Sequence, residues 1–310
     1  MIVVTAAQMR ELDRLTIEKY GVPSLTLMER AGHAIAHAMI ERFSRYAKKG
    51  VLVVAGKGNN GGDGFVVARL LKKKRIPCEV ALLARRDELS PDAAHNLNAF
   101  VKLKGKITEI TMADVGLLGE RARKTGLLVD AILGTGVKNE VRGLYADAIT
   151  SINGCGVPVM AVDIPSGIHT DSGVPLGVAV QSEMTVALGF AKRGEVIYPG
   201  IDYVGALIVA DIGIAAQAVA EVNPDTELLE RETVRRLVPR RGADTHKGSY
   251  GHVLVVAGSR GKTGAAILAS RAAMRSGAGL TTLAAPRSLN NIFASSLIEV
   301  MTEPLGENTA

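Results

Sequence analysis

VLVVA (51–55), GKGNNGGDG (56–64) and FVVARLL (65–71) follow one another without a break. The first run is short, apolar and β-branched, the composition of a strand buried on both faces. The second puts glycine at a strand-to-helix turn, where a backbone without side chains can approach a ligand closely. The third reads as the helix that follows. Strand, glycine-rich turn and helix together open a parallel α/β unit. The same texture recurs as CEVALLA from 78, LLVDAIL from 127, VPVMAVD from 157, EMTVALG from 183 and ALIVADIG from 206, with helical stretches between them. These runs predict a Rossmann-like, doubly wound α/β fold, a mainly parallel sheet with helices on both faces. Its ligands would bind beyond the carboxyl ends of the strands.

Upstream, Thr5 and Gln8 form a capping-box pattern before MRELDRLTIEKY, and Ser24 is placed to cap a helix through MERAGHAIAHAMIERF. A chain of 310 residues with 47% hydrophobic content can bury more than one core. The alternation dissolves into prolines, glycines and a basic cluster, so residues 1–215 are expected as one domain and 216–243 as a linker. HVLVVAG from His252 then starts a second α/β unit over 244–310.

The 37 basic and 31 acidic residues give a net charge of +6, compatible with an anionic ligand but too diffuse to specify one. Aromatics make up 4% with no Trp, and none is interleaved with basic residues, which sets nucleic acid aside. No apolar run approaches the roughly 20 residues of a membrane span. Cys78 and Cys155 stand far apart in apolar runs and read as core residues of a reducing compartment, so a cytoplasmic protein is expected.

Three strand ends each deliver glycines together with an oxygen-bearing side chain. GKGNNGGDG satisfies G-x-G-x-x-G at Gly56, Gly58 and Gly61, a weak pattern alone, but it also inserts amides and the Asp63 carboxylate. VDAILGTGVKNE carries Asp130 near a strand end and opens a loop at Gly134-Thr135-Gly136. AVDIPSGIHTDSG ends a strand at Asp163 and turns at Ser166-Gly167. Singly, an Asp at a strand end is a turn former. In a doubly wound sheet these ends can meet in one crevice, where Asn60, Asp130 and Ser166 form an all-oxygen set with a single carboxylate, suited to a weakly bound monovalent cation.

Taken together, NNGGD, the GTG loop after a strand Asp, and DIPSG resemble, in this order, the N-terminal domain of the NAD(P)H-hydrate epimerase family. The resemblance covers about residues 1–212. It implies that Asn59, Asn60, Gly61, Gly62 and Asp63 contact the nucleotide, with Gly134, Thr135, Gly136, Val137, Lys138, Asn139, Glu140, Tyr145 and Asp163. It also implies that Asn60, Asp130 and Ser166 hold a potassium ion, and that the chain forms a homodimer. The substrate would be NADH or NADPH hydrated at C6 of the nicotinamide ring, whose R and S forms are interconverted. That carbon is a hemiaminal, so inversion needs proton transfer but no hydride, and Asp163 is the expected general acid and base. From Asp244 onward the sequence resembles the opening of the ADP-dependent NAD(P)H-hydrate dehydratase domain, of ribokinase-like fold. Gly264 and Ala265 would lie near the hydrated ring there. The later ADP-binding loop of that family is absent from residues 244–310, so ADP would serve only a complete domain.

Two other readings stay open. Arg85 and Arg86 follow the second strand where an NADP-dependent oxidoreductase keeps a basic residue for the 2′-phosphate. A non-catalytic nucleotide-binding module would use the same loops. GSRGKTG near 258 lacks the first glycine of a Walker A loop, Val256 standing in its place, and His33 with His37 lacks the Glu of HExxH.

Overall fold

The computed structural model describes residues 1–238 and 240–307. The chain divides into two compact units, Met1–Glu230 and Arg231–Ala310.

In the first unit the elements run β1 (Ile2–Val4), α1 (Ala6–Arg14), α2 (Ser24–Ala47), β2 (Val51–Ala55), α3 (Asn59–Lys73), β3 (Cys78–Leu82), α4 (Pro91–Lys102), β4 (Lys106–Glu109), α5 (Leu118–Arg123), β5 (Leu127–Ala131), α6 (Leu144–Asn153), β6 (Val159–Val162), β7 (Met184–Leu188), β8 (Ala191–Lys192), α7 (Ile201–Val204), β9 (Ala206–Ala210), α8 (Ala216–Val222) and β10 (Thr226–Glu227). Seven strands form one sheet in the order β4-β3-β2-β5-β6-β7-β9. Every neighbouring pair is parallel, as in Val54 opposite Asp130 and Ala55 opposite Ala131. The sheet is the doubly wound one that the apolar runs predict. Strand order reverses between β2 and β5, and the crevice beyond that switch point is where such sheets bind ligands.

Successive residues of β2 serve opposite faces. Val51, Val53 and Ala55 join a core with α2, α3 and α4, through Ile35, Met39, Phe65, Leu71, Leu97 and Phe100. Leu52 and Val54 join a second core with α5 and α6, through Leu118, Ala122, Ile149 and Ile152. Such two-sided burial explains why β2, β5 and β6 are apolar without alternation.

α1 begins with the capping box: the Thr5 hydroxyl accepts from the Gln8 amide while the Gln8 side chain accepts from the Thr5 amide. A π turn, Leu15–Lys19, prolongs it. Ser24 is the first residue of α2, with Pro23 at the cap position.

Part of the expected linker is structured. α8 buries Ala218 against Val4, Met9 and Leu12. β10 pairs antiparallel with β1, Ile2 opposite Glu227, while β1 runs parallel to β8. The stripe that docks α8 is one alanine with Val219 and Val222, too short and too small to stand out as an amphipathic helix. β4, KITE, was not legible either, because an edge strand carrying Lys and Glu has no apolar run to announce it.

The second unit contains α9 (Arg231–Leu237), β11 (His252–Val256), α10 (Thr263–Ser276), β12 (Leu280–Pro286), α11 (Asn290–Ser296) and β13 (Met301–Leu305), its three strands parallel in that order. Its core gathers Ala266, Leu283, Leu289 and Phe293. Leu254, Val256, Leu268 and Ile298 are exposed apolar side chains.

Candidate active site

The geometry starts with the packing of α3 onto the strand ends. A helix begins at Asn59, so NNGGD is the first turn of a helix where a free loop was expected. Its glycines are demanded by proximity. A Cβ at Gly61 would lie 2.1 Å from the Gly56 carbonyl oxygen, and one at Gly56 would lie 2.1 Å from that of Ile132. The β2 and β5 loops therefore touch through bare backbone. The first N–H groups of α3 have no partner within the helix and point outward with the positive end of its dipole.

Above this contact lies a cavity of about 540 Å³. Asn59, Asn60, Asp63, Gly134, Thr135, Gly136, Val137, Tyr145 and Asp163 line it, so residues from three separate strand ends face one space. Gly61 and Gly62 lie buried behind it. Lys138, Asn139 and Glu140 are not among its lining residues, and Glu140 pairs instead with Arg142. Gly264 and Ala265 belong to the second unit, exposed at the start of α10.

Asp130 and Ser166 form the floor. Both are fully buried, and the Asp130 carboxylate accepts from the Ser166 amide at 2.8 Å, the Ser166 hydroxyl at 2.6 Å and the Ile132 amide at 3.2 Å. Burial raises the Asp130 carboxyl to about 6, against the pull of these donors. The Leu133 amide donates to the Ser166 hydroxyl at 2.9 Å, and the Asn60 side-chain amide donates to the Leu133 carbonyl at 3.1 Å. Asn60, Asp130 and Ser166 are thus joined through Leu133. The Asn60 Oδ1 is buried without a hydrogen-bond partner. A buried carbonyl oxygen left unpaired is costly, and a cation would satisfy it. An amide oxygen, a carboxylate and a hydroxyl suit a hard monovalent ion. Among the described residues, no three His, Cys, Asp or Glu side chains are grouped to hold a metal. His33 and His37 sit exposed on α2, facing Glu29 and Glu41.

Around Asp163 stand residues that sequence reasoning missed. Lys192 is fully buried; its ammonium pairs with Asp163 and donates to the Leu188 carbonyl at 3.1 Å. Asp163 also accepts from the Leu188 amide at 3.0 Å, and its backbone is left-handed, φ 67°. The carboxyl expected to be a shielded acid is therefore ion-paired. The proton-retaining carboxyls lie beside it. Burial raises Asp13 to about 7, with the Asp163 charge adding to it and Lys192 opposing. Burial, then Asp163 and Asp13, push Asp63 well above the usual carboxylate range. Burial lifts Glu195 to about 8 although Lys192 opposes it. One lysine cannot balance so many buried carboxyls at once, so burial holds several of them above the usual carboxylate range.

The signal for Asp13 was its position. Met9, Asp13 and Ile17 recur at four-residue spacing on one helical stripe, and all three line the cavity. Lys192 and Glu195 lay in GFAKRGEVIYPG, which has no motif to read.

The linkage of these carboxyls to stability has a definite sign. A carboxyl whose folded pKa is raised holds a proton that the unfolded chain has released, so stability falls as pH rises between the two values. For Glu195, raised to about 8, this cost accrues from about pH 5 to 8 at about 1.4 kcal/mol per pH unit. E195Q is expected to flatten the decline by one proton's worth, read from urea midpoints across that range.

Cys155 is buried and Cys78 half-buried, both free. Arg85 and Arg86 pair with Asp87 and Glu109 at the surface and are not among the cavity residues.

Residues 24–194 match the model of the YjeF-related protein N-terminus, and residues 253–310 match that of NAD(P)H-hydrate dehydratase. The chain is 42% identical to a bifunctional NAD(P)H-hydrate repair enzyme of Moorella thermoacetica, over 100% of this chain and 59% of that one. It is 41% identical to an NAD(P)H-hydrate epimerase of Limosilactobacillus fermentum, over 67% of this chain and 95% of that one. The chain spans about three-fifths of the length of the bifunctional relatives. The crystal structure of yeast ynu0 superimposes with a TM-score of 0.63 at 23% identity, covering 73% of this chain and 96% of that one. That last likeness shows the fold alone.

Proposed function

The chain belongs to the family of the YjeF-related protein N-terminus, and on that premise we propose that its first unit interconverts the R and S hydrates of NADH and NADPH at C6. The observation that carries the proposal is the shared cavity: Asn59, Asn60, Asp63, residues 134–137 and Asp163 face it together with Asp13, and Asp163 is paired with the buried Lys192. An apolar wall of Leu27, Met28, Ala31 and Leu188 offers a surface for the nicotinamide ring, and the α3 N-terminus offers amides to a phosphate.

The hemiaminal carbon loses its hydroxyl as water when the oxygen is protonated and the ring nitrogen lone pair forms the iminium. Water returning to the opposite face gives the other epimer. Asp163, paired with Lys192, is the base that receives the proton of the incoming water. Lys192 orients it. Asn60, Asp130 and Ser166 would hold a potassium ion, which supplies fixed positive charge beside the cradle. The relatives' dehydratase activity extends to the second unit only as a proposal, and this chain's part of it carries Gly264 and Ala265 for the ring. The free cysteines suit a reducing, cytoplasmic setting.

The test is chromatographic: pure R hydrate should scramble to the R and S mixture faster with the protein than without it. Binding without scrambling would leave a nucleotide-binding module instead. Potassium chloride should raise the melting temperature by several degrees relative to choline chloride, corresponding to about 1 kcal/mol or more. N60A should abolish that increment; an increment that survives N60A would remove Asn60 from the ion site.

A further inference from the structure

Asp13 stands on the wall formed by the N-terminal helices, and none of the glycine-bearing loop motifs contains it. Its stripe neighbours Met9 and Ile17 are apolar, and Leu27, Met28, Leu188 and Ile212 line the same cavity. The side chain is partly buried, and among the described residues its carboxyl has no hydrogen-bond or ion-pair partner. A carboxyl placed in apolar surroundings, open to a cavity and engaged by nothing in the fold, is free to engage a ligand. The charged groups around it are Asp163, Lys192 and Asp63, with Arg10 and Arg14 on its own helix and Glu195 behind Lys192.

We propose that Asp13 is a catalytic residue of the epimerisation, the acid that protonates the departing C6 hydroxyl. The inference rests on the epimerase reading and deepens it. Asp163 cannot fill this role in the same step, because its carboxylate is committed to Lys192 and to the Leu188 amide. Asp63 is more deeply buried, 8% exposed, in the first turn of α3. Of the two other cavity carboxyls, Asp13 and Asp92, Asp13 is the one that stands on the apolar stripe within reach of Asp163 and Lys192, and it combines access with a proton available near neutrality, where an acid must both give and recover it.

The step balances without an external oxidant or reductant. The Asp13 proton passes to the hydroxyl oxygen, the C6–O bond breaks with its electron pair leaving in water, and the nitrogen lone pair closes the C=N bond. A water oxygen then bonds to C6 from the other face, the C=N pair returns to nitrogen, and the water proton goes to Asp163. Asp13 ends as carboxylate and Asp163 as acid, and solvent exchange or the reverse turnover restores both. The two carboxyls act as donor and acceptor in alternation, as inversion between two faces requires.

The test measures exchange of R and S NADPH hydrate by the whole chain as wild type, D13N and D13E, from below to above neutrality. Hydrate affinity and melting temperature are measured on the same samples. D13N should lose about 100-fold or more in kcat while hydrate affinity stays within about threefold. Wild-type exchange should decline above about pH 7, and that alkaline limb should disappear in D13N. D13E should retain part of the rate with the limb displaced. If the wild type exchanges the epimers and D13N does so within about threefold with the same pH profile, Asp13 is not the acid and the epimerase reading stands. Should D13N fail to fold, an alkaline limb of D13E identical to wild type overturns the assignment. If the wild type itself fails to exchange, the epimerase reading falls and this inference falls with it.

Discussion

D163N is expected to reduce epimer exchange by about 100-fold to 10,000-fold and to destabilise the fold by about 3–5 kcal/mol at once. Both effects come from the same ion pair. Lys192 has no exposure and Asp163 is its salt-bridge partner, so removing the carboxylate strands an ammonium in the interior. The remaining acceptor is the neutral Leu188 carbonyl at 3.1 Å, and Glu195 keeps its proton near neutrality. The two effects separate in a double-mutant cycle. K192M in the D163N background deletes the stranded charge and should recover most of the lost stability, measured by urea unfolding, without recovering exchange. If D163N/K192M is no more stable than D163N alone, the pair is not what holds this wall together. If D163N exchanges epimers at the wild-type rate, Asp163 is not the base.

G61V is expected to be the most damaging change in the cradle. A Cβ there meets the Gly56 carbonyl oxygen at 2.1 Å, and backbone cannot rotate away as a side-chain tip can. Either α3 lifts from the sheet or the β2 loop moves, and both carry Asn60 away from Leu133. The cost should exceed the usual 1–3 kcal/mol of overpacking, at roughly 3 kcal/mol or more, and a soluble variant should lose hydrate affinity by at least about tenfold. Gly58 and Gly136 serve as controls in the same two loops. A Cβ at either position has nothing within 4 Å, so G58A and G136A should melt close to wild type. Equal damage from all three would mean that flexibility, and not close approach, is what the glycines provide.

The legible part of this molecule was the part governed by burial on two faces. β2, β5, β6 and β7 announce themselves as apolar runs because a strand covered by helices on both sides has no polar face to interrupt it, and β3 and the edge strand β9 are legible as apolar runs although only partly buried. β4 did not, since this edge strand carries Lys and Glu, and β1, Ile-Val-Val, is too short a run to stand out. Motifs that require glycine or a strand-end Asp were visible, and their placement around the β2–β5 switch point follows from strand order.

The electrostatic half of the site was not legible. Asp13, Lys192 and Glu195 acquire their properties from being desolvated together, and no spacing rule encodes that. Asp13 left a trace, an acid on an apolar helical stripe between Met9 and Ile17. Lys192 left none, and its presence changes Asp163 from a lone shielded carboxyl into half of an ion pair. NNGGD read as a loop because three glycines in six residues argue against helix; the helix forms because those glycines are what let it dock on the strand ends.

The central claim is that the β2, β5 and β6 loops and the first helix enclose one hydrated-dinucleotide site. Amide hydrogen exchange with and without NADPH hydrate tests it directly. Protection should rise together in the segments 9–17, 57–64, 132–137 and 163–168, while the strands distant from the cavity are unchanged. Protection of only one of these segments, or of none while the hydrate is demonstrably bound, would contradict the account.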